Sequence, residues 1–309
     1  MKFFLILNKK NLKHYTIYFL IIFILFSSLF LYLNKKQYIS VLNYENNNTY
    51  SDFDLDGDGF LDKLEIIKES NKYIVNIHSQ DNVYTLSNSD GSKYLGDLDS
   101  SFPIRVNLID LSRDNIPEII IRTTISSNPI NYIFTFNKDN FINIFQSDYN
   151  LLGLLDSNNN RTPNIYSLSS RKGDSSSLAY MIINNEAKDI SIIKKNIPGL
   201  NLIQQLIDYT EYPYELNNCP DIFSSTISKS EISTLWELNK NDNRYNFQCG
   251  YFYDYKWNGN GEFDGLIWEL SFNKEDKKDS SSLDKEFSLC LTMEYDMYKQ
   301  LKITSVIKK

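Results

Sequence analysis

Asp54-Leu55-Asp56-Gly57-Asp58-Gly59-Phe60-Leu61-Asp62 packs four carboxylates and two glycines into nine residues. Two unit charges about 4 Å apart repel by roughly 4 kcal/mol at an effective dielectric near 20, a penalty that a cation among them removes. Alternate spacing turns Asp54, Asp56 and Asp58 toward one centre, Gly59 permits a sharp turn, Phe60 can offer its backbone carbonyl, and Asp62 closes the shell. Such an all-oxygen set suits Ca2+, with its about six to eight ligands, better than octahedral magnesium. The stretch therefore reads as a calcium loop, with a solvated acidic turn as the alternative.

Continued to Glu65, the same residues also satisfy the spacing of an EF-hand, which needs a helix on each side. Upstream, residues 43–52 are rich in Asn, Ser, Thr and Asp, which hydrogen-bond their own backbone and make a poor helix. Downstream, residues 63–70 and 73–79 read as two strands around a turn at Asn71-Lys72. Strand after loop, rather than helix after loop, is the arrangement of FG-GAP and VCBS-type repeats, and the chain resembles that family here.

Further copies of the pattern follow. Asp110, Ser112, Asp114 and Glu118 take the places of Asp54, Asp56, Asp58 and Asp62, with Asn115 where Gly59 stood. A weaker second metal loop and a plain Asx-type turn between buried strands both fit. Residues 156–164 keep the shape with Asp156 as the single acid, so a turn without metal is expected there. Residues 256–264 open on Lys256 and carry Asn-Gly, the signal of a hairpin turn. The resemblance covers roughly residues 40 to 190 and implies calcium-stabilised β repeats. With three units it implies a partial or irregular propeller-like array, since an ordinary propeller closes with about four to eight blades.

Pro198-Gly199 then punctuates the chain, and Leu200, Leu202, Ile203, Leu206 and Ile207 recur at helical spacing. A second helix is expected from Ser228 or Ser230 to Leu238, with Ser230 and Glu231 as a reasonable start, followed by strands near residues 245–255, 266–272, 286–295 and 301–307. The fold class is therefore mainly β with α+β. Its expected divisions are a β-repeat domain over 43–197 and a C-terminal α+β domain over 198–309, helices first and an antiparallel sheet afterwards.

From Tyr15 to Leu33 the chain runs nineteen residues without a charge. At 1.5 Å per residue that matches the roughly 30 Å hydrocarbon core of a bilayer. Lys2, Lys9, Lys10 and Lys13 precede it, so the positive-inside bias leaves residues 1–14 cytoplasmic and everything after a linker at 34–42 outside the cell membrane. A cleaved signal peptide is the alternative to this uncleaved signal anchor. Beyond residue 36 there remain 26 basic and 39 acidic residues, a net charge of about −13, which argues against nucleic acid as a partner and favours cations.

Catalytic signatures are sparse. Of two histidines, His14 borders the apolar span and His78 lies in a strand, so a serine or cysteine triad would have to rest on His78 alone. Cys219, Cys249 and Cys290 form no Cys-x-x-Cys, leaving one disulfide or buried thiols open. No catalytic residue is picked out. The chain reads as a membrane-anchored module that binds a protein or glycan at the cell surface, with a cell-envelope hydrolase as the alternative.

Overall fold

The computed structural model describes residues 18–25, 27, 40–42, 49–156, 162–192, 197–212, 221–278 and 285–309. The chain divides into two units, Met1–Ile39 and Ser40–Lys309. In the first, residues 18–25 are helical with exposed side chains. Among the described residues no helix is long and apolar enough to cross a membrane. Much of the span expected at 15–33 lies outside the described residues.

The second unit is mainly β, arranged as three sheets. A first four-stranded antiparallel meander comprises β2 (Thr49–Phe53), β3 (Asp62–Glu69), β4 (Lys72–Ser79) and β5 (Asn82–Thr85). A second repeats it with β7 (Arg105–Ile109), β8 (Glu118–Ile125), β9 (Asn128–Asn137) and β10 (Asn140–Ser147). The third is β11 (Leu151–Leu155), β12 (Asn164–Leu168), β13 (Leu178–Ile183) and β14 (Glu186–Asp189). Tight turns make the meanders possible. Ser70 and Asn71, Ser126 and Ser127, and Asn184 and Asn185 each place two consecutive residues at positive φ, between 51° and 62°. That geometry matches the right-handed twist of paired strands.

Two short strands extend these sheets. β1 (Ser40–Leu42) pairs antiparallel with β7, so part of the stretch expected as linker is sheet. β6 (Gly96–Asp97) pairs with the start of β4. Within the meanders the alternation is plain on β3, where Leu64 and Ile66 enter the core. β8 is buried along nearly all its length because it is covered on both faces. The first two meanders share one apolar core, which includes Leu55, Val75, Val106, Ile119 and Phe134.

Two helices, α1 (Leu200–Glu211) and α2 (Lys229–Trp236), precede β15 (Asn243–Trp257), β16 (Phe263–Asp276), β17 (Lys285–Tyr295) and β18 (Leu301–Lys308). Ser228 caps α2 through a reciprocal bond pair with Glu231. Both helices pack on one face of the last four strands, around Phe252, Trp268, Leu289 and Met293. β15 also pairs in parallel with β11, which fuses the third meander and the C-terminal strands into one eight-stranded sheet. The division expected at residue 197 is therefore bridged by continuous hydrogen bonding. Gly153 is needed at this seam, because a Cβ there would fall within the ring of Phe252, its cross-strand partner. The three sheets do not form a closed propeller among the described residues. Cys249 and Cys290 are free thiols, while Cys219 lies outside the described residues.

Candidate metal centre

The nine-residue acidic stretch connects β2 to β3, and its side chains converge. Asp54 takes the N–H of Gly57 on Oδ1 at 2.7 Å and that of Gly59 on Oδ2 at 3.0 Å. Asp56 Oδ1 accepts from Asp58 N at 3.1 Å, and Asp58 Oδ1 accepts from Phe60 N at 2.7 Å. Gly57 and Gly59 stand at φ 79° and 89°, the left-handed region that turns their N–H groups inward. Each of Asp54, Asp56 and Asp58 offers one oxygen within 4.8 Å of the other two, the single such acidic group among the described residues. A carboxylate has about four lone-pair sites, so these backbone bonds leave capacity for a cation.

Asp62 lies at the base of the loop and is 1% exposed. Its Oδ2 accepts the Leu55 N–H at 2.6 Å, while its Oδ1 is buried with no hydrogen-bond partner. Burial foremost, and the charges of Asp56 and Asp58 after it, push the Asp62 carboxyl up from its ordinary value. A buried carboxylate oxygen without a partner is costly, and a hard cation or a proton is what satisfies it. Phe60 projects its side chain into solvent at the tip. Glu65 is not part of the loop: it sits on β3 and pairs with His78 Nε2 at 2.9 Å. Strands on both sides replace the helices that an EF-hand would need.

The second loop repeats the first almost bond for bond between β7 and β8. Asp110 accepts from Arg113 N at 2.7 Å and Asn115 N at 3.1 Å, and both donors have φ 70°. Asp114 accepts from Ile116 N, and Glu118 Oε2 accepts from Leu111 N at 2.6 Å and Ser112 N at 3.3 Å. Glu118, like Asp62, is 1% exposed and keeps one buried oxygen without a partner. Burial drives its pKa up to about 7. The two loops also touch, since a Cβ on Gly57 would run into Ile116.

The third loop is described only at its ends. Asp156 and Asn164 are buried, and Asn164 Oδ1 has no hydrogen-bond partner, as at the equivalent position of the other loops. Asp254 on β15 receives the Asp156 N–H at 3.0 Å, and burial pushes its own pKa up to about 7. The segment 256–264 is a hairpin turn, closed by Asn258 N to Glu262 O and Gly261 N to Asn258 O.

Sequence spacing did not reveal two further members of the first site. Ser79 Oγ donates to Asp56 Oδ2, and Gln80 Nε2 donates to Asp58 Oδ2. Ser79 ends β4 and Gln80 follows it in the turn, next to the loop because His78 pairs with Lys63. No protein-family model matches the chain, and no curated protein matches it significantly.

Proposed function

We propose that this chain is a single-pass, membrane-anchored, extracytoplasmic protein whose FG-GAP/VCBS-like β repeats are stiffened by calcium and act as a binding module for another macromolecule. The observation that carries this reading is the shared loop geometry, in which equivalent turns of two meanders aim acidic oxygens inward around a buried, unpartnered carboxylate oxygen. In the first loop Asp54, Asp56, Asp58 and Asp62 would hold the ion, with the Phe60 carbonyl available to complete the shell. Asp110, Ser112, Asp114 and Glu118 would form a weaker site. The ion's role is structural, tying the loop to β3 and to the end of β4. Affinity is expected in the range of about 10⁻⁴ to 10⁻³ M that extracellular modules show.

Calorimetric titration of the full-length protein with calcium tests this. Saturable uptake that Asp56→Ala and Asp58→Ala remove supports the reading, and a flat titration of the unaltered protein ends it. Protease added outside intact cells should digest the second unit; complete protection would overturn the orientation.

A further inference from the structure

A small cleft opens at the seam between the second and third meanders, remote in sequence from the acidic loops. Its volume is about 170 Å³, and its walls come from the end of β10, the corner that follows it, and β12 and β13. Drug-sized pockets start near about 300 Å³, so this one admits a single compact group. Phe145 and Tyr180 meet across it edge to face, with ring centres 5.2 Å apart and planes at 67°. Ser147 and Ser167 bridge its floor, with their hydroxyl oxygens 2.7 Å apart. The corner is held rigidly: Asn131, 5% exposed, donates its amide to Tyr149 O at 2.8 Å and to Ser147 O at 3.4 Å.

The charge of the lining decides the ligand. It contains the carboxylate of Asp148 and no lysine, arginine or histidine. That carboxylate is exposed and makes no hydrogen bond or ion pair with any described residue. The Tyr180 phenol is pushed above its ordinary value, first by burial and then by the charges of Asp189 and Tyr149. Burial disfavours charge of either sign, so it is the carboxylates of Asp148, in the lining, and Asp189, near the Tyr180 phenol, that favour a cation. Aromatic faces beside a carboxylate attract ammonium groups through the ring quadrupole.

We infer that this cleft binds an organic ammonium group, with Tyr149, Tyr180 and Phe145 as its aromatic walls and Asp148 as its counter-charge. Such a group is carried by a lysine side chain of a basic partner or by a quaternary head such as choline.

The test is saturation-transfer NMR on the full-length protein in a non-ionic detergent, with four probes: choline, an N-acetyl-lysine amide, 3,3-dimethylbutanol as the neutral isostere of choline, and glucose. At least one ammonium probe should bind, with the neutral isostere at least tenfold weaker and glucose silent. Asp148→Asn should weaken the ammonium probe at least fivefold without moving the thermal midpoint. Tighter binding of the lysine amide would identify a basic peptide as the source, and tighter choline a quaternary head. Equal binding of choline and its isostere, binding of glucose alone, no ammonium binding, or an unchanged affinity in Asp148→Asn would each overturn the assignment.

Discussion

The Arg122 guanidinium carbon lies 4.1 Å from the centre of the Tyr251 ring, stacking the second meander directly on the C-terminal sheet. Arg122 is 2% exposed, reaches Asn107 Oδ1 at 3.3 Å and faces Glu269 at 3.6 Å. Arg105, its cross-strand partner, pairs likewise with Glu286. Two cations of one sheet thus meet two anions of the next. Removing one member of a buried pair leaves its partner uncompensated, which costs about 3 to 5 kcal/mol. Lys309 Nζ remains 2.6 Å from Glu269 and softens that loss. Arg122→Ala should therefore lower unfolding stability by about 3 kcal/mol in urea titration, and Glu269→Gln, which leaves buried Arg122 beside Arg105 without its carboxylate, by at least as much. A change under about 1 kcal/mol in Arg122→Ala would show that the contact does not tie the sheets together.

The contact between loops gives a sharper comparison. Gly57 and Gly59 both have left-handed φ, but only Gly57 faces a neighbour, the Ile116 side chain. Alanine at positive φ costs about 1 kcal/mol from backbone strain. Gly59→Ala should show that cost alone, whereas Gly57→Ala should add a collision and lose about 2 kcal/mol or more. Combining Gly57→Ala with Ile116→Ala should recover part of the difference, as read from thermal melts of the four proteins. Equal losses for the two glycines would exclude the loop contact.

Acid titration has a definite sign here. Asp254 has an ordinary value of 3.8, and burial raises it to about 7 in the fold. Between those values the folded state binds the proton and the unfolded state does not, so the Asp254 contribution to stability should fall as pH rises from about 4 to about 7 and then level off. Glu118 adds a slope of the same sign, from 4.5 to about 7. In EDTA, Asp254→Asn should flatten part of this slope and should be more stable than the parent at pH 8, by about 2 kcal/mol. Parallel stability profiles for the two proteins would contradict the assigned burial.

Calcium should act against that trend at the first loop. A ligand at about 100 times its dissociation constant adds about 2.7 kcal/mol to a fold that alone binds it. Melting curves at neutral pH should therefore move up with added calcium, and Asp62→Asn, which keeps an acceptor for Leu55 N–H, should reduce the shift. An identical calcium response in that variant would remove Asp62 from the site.

The acidic loop was legible because its information is local: the spacing of Asp54, Asp56 and Asp58 and the glycines between them determine the turn. Asn71 and the Asn184-Asn185 pair likewise announced their turns, since asparagine tolerates positive φ. Ser126 and Ser127 adopt the same geometry without such a signal. What escaped depends on distant strands. Ser79 and Gln80 reach the loop only through the β3–β4 register, and Asp254 reaches Asp156 only because β11 and β15 run side by side. Helix α1 followed from periodicity and α2 from a start signal near Ser228–Glu231, but neither reveals that the sheet beyond them continues the third meander.

That parallel junction sets an order of events during synthesis. β11 leaves the ribosome roughly 90 residues ahead of β15, and contacts so far apart in sequence form slowly. Until then the third meander has an open inner edge, with Gly153 bare where Phe252 will rest. An unsatisfied edge of this kind invites pairing with other chains. The nascent protein is most exposed to misassembly in the interval before β15 arrives, and truncation within β15 should yield aggregates rather than a smaller soluble array.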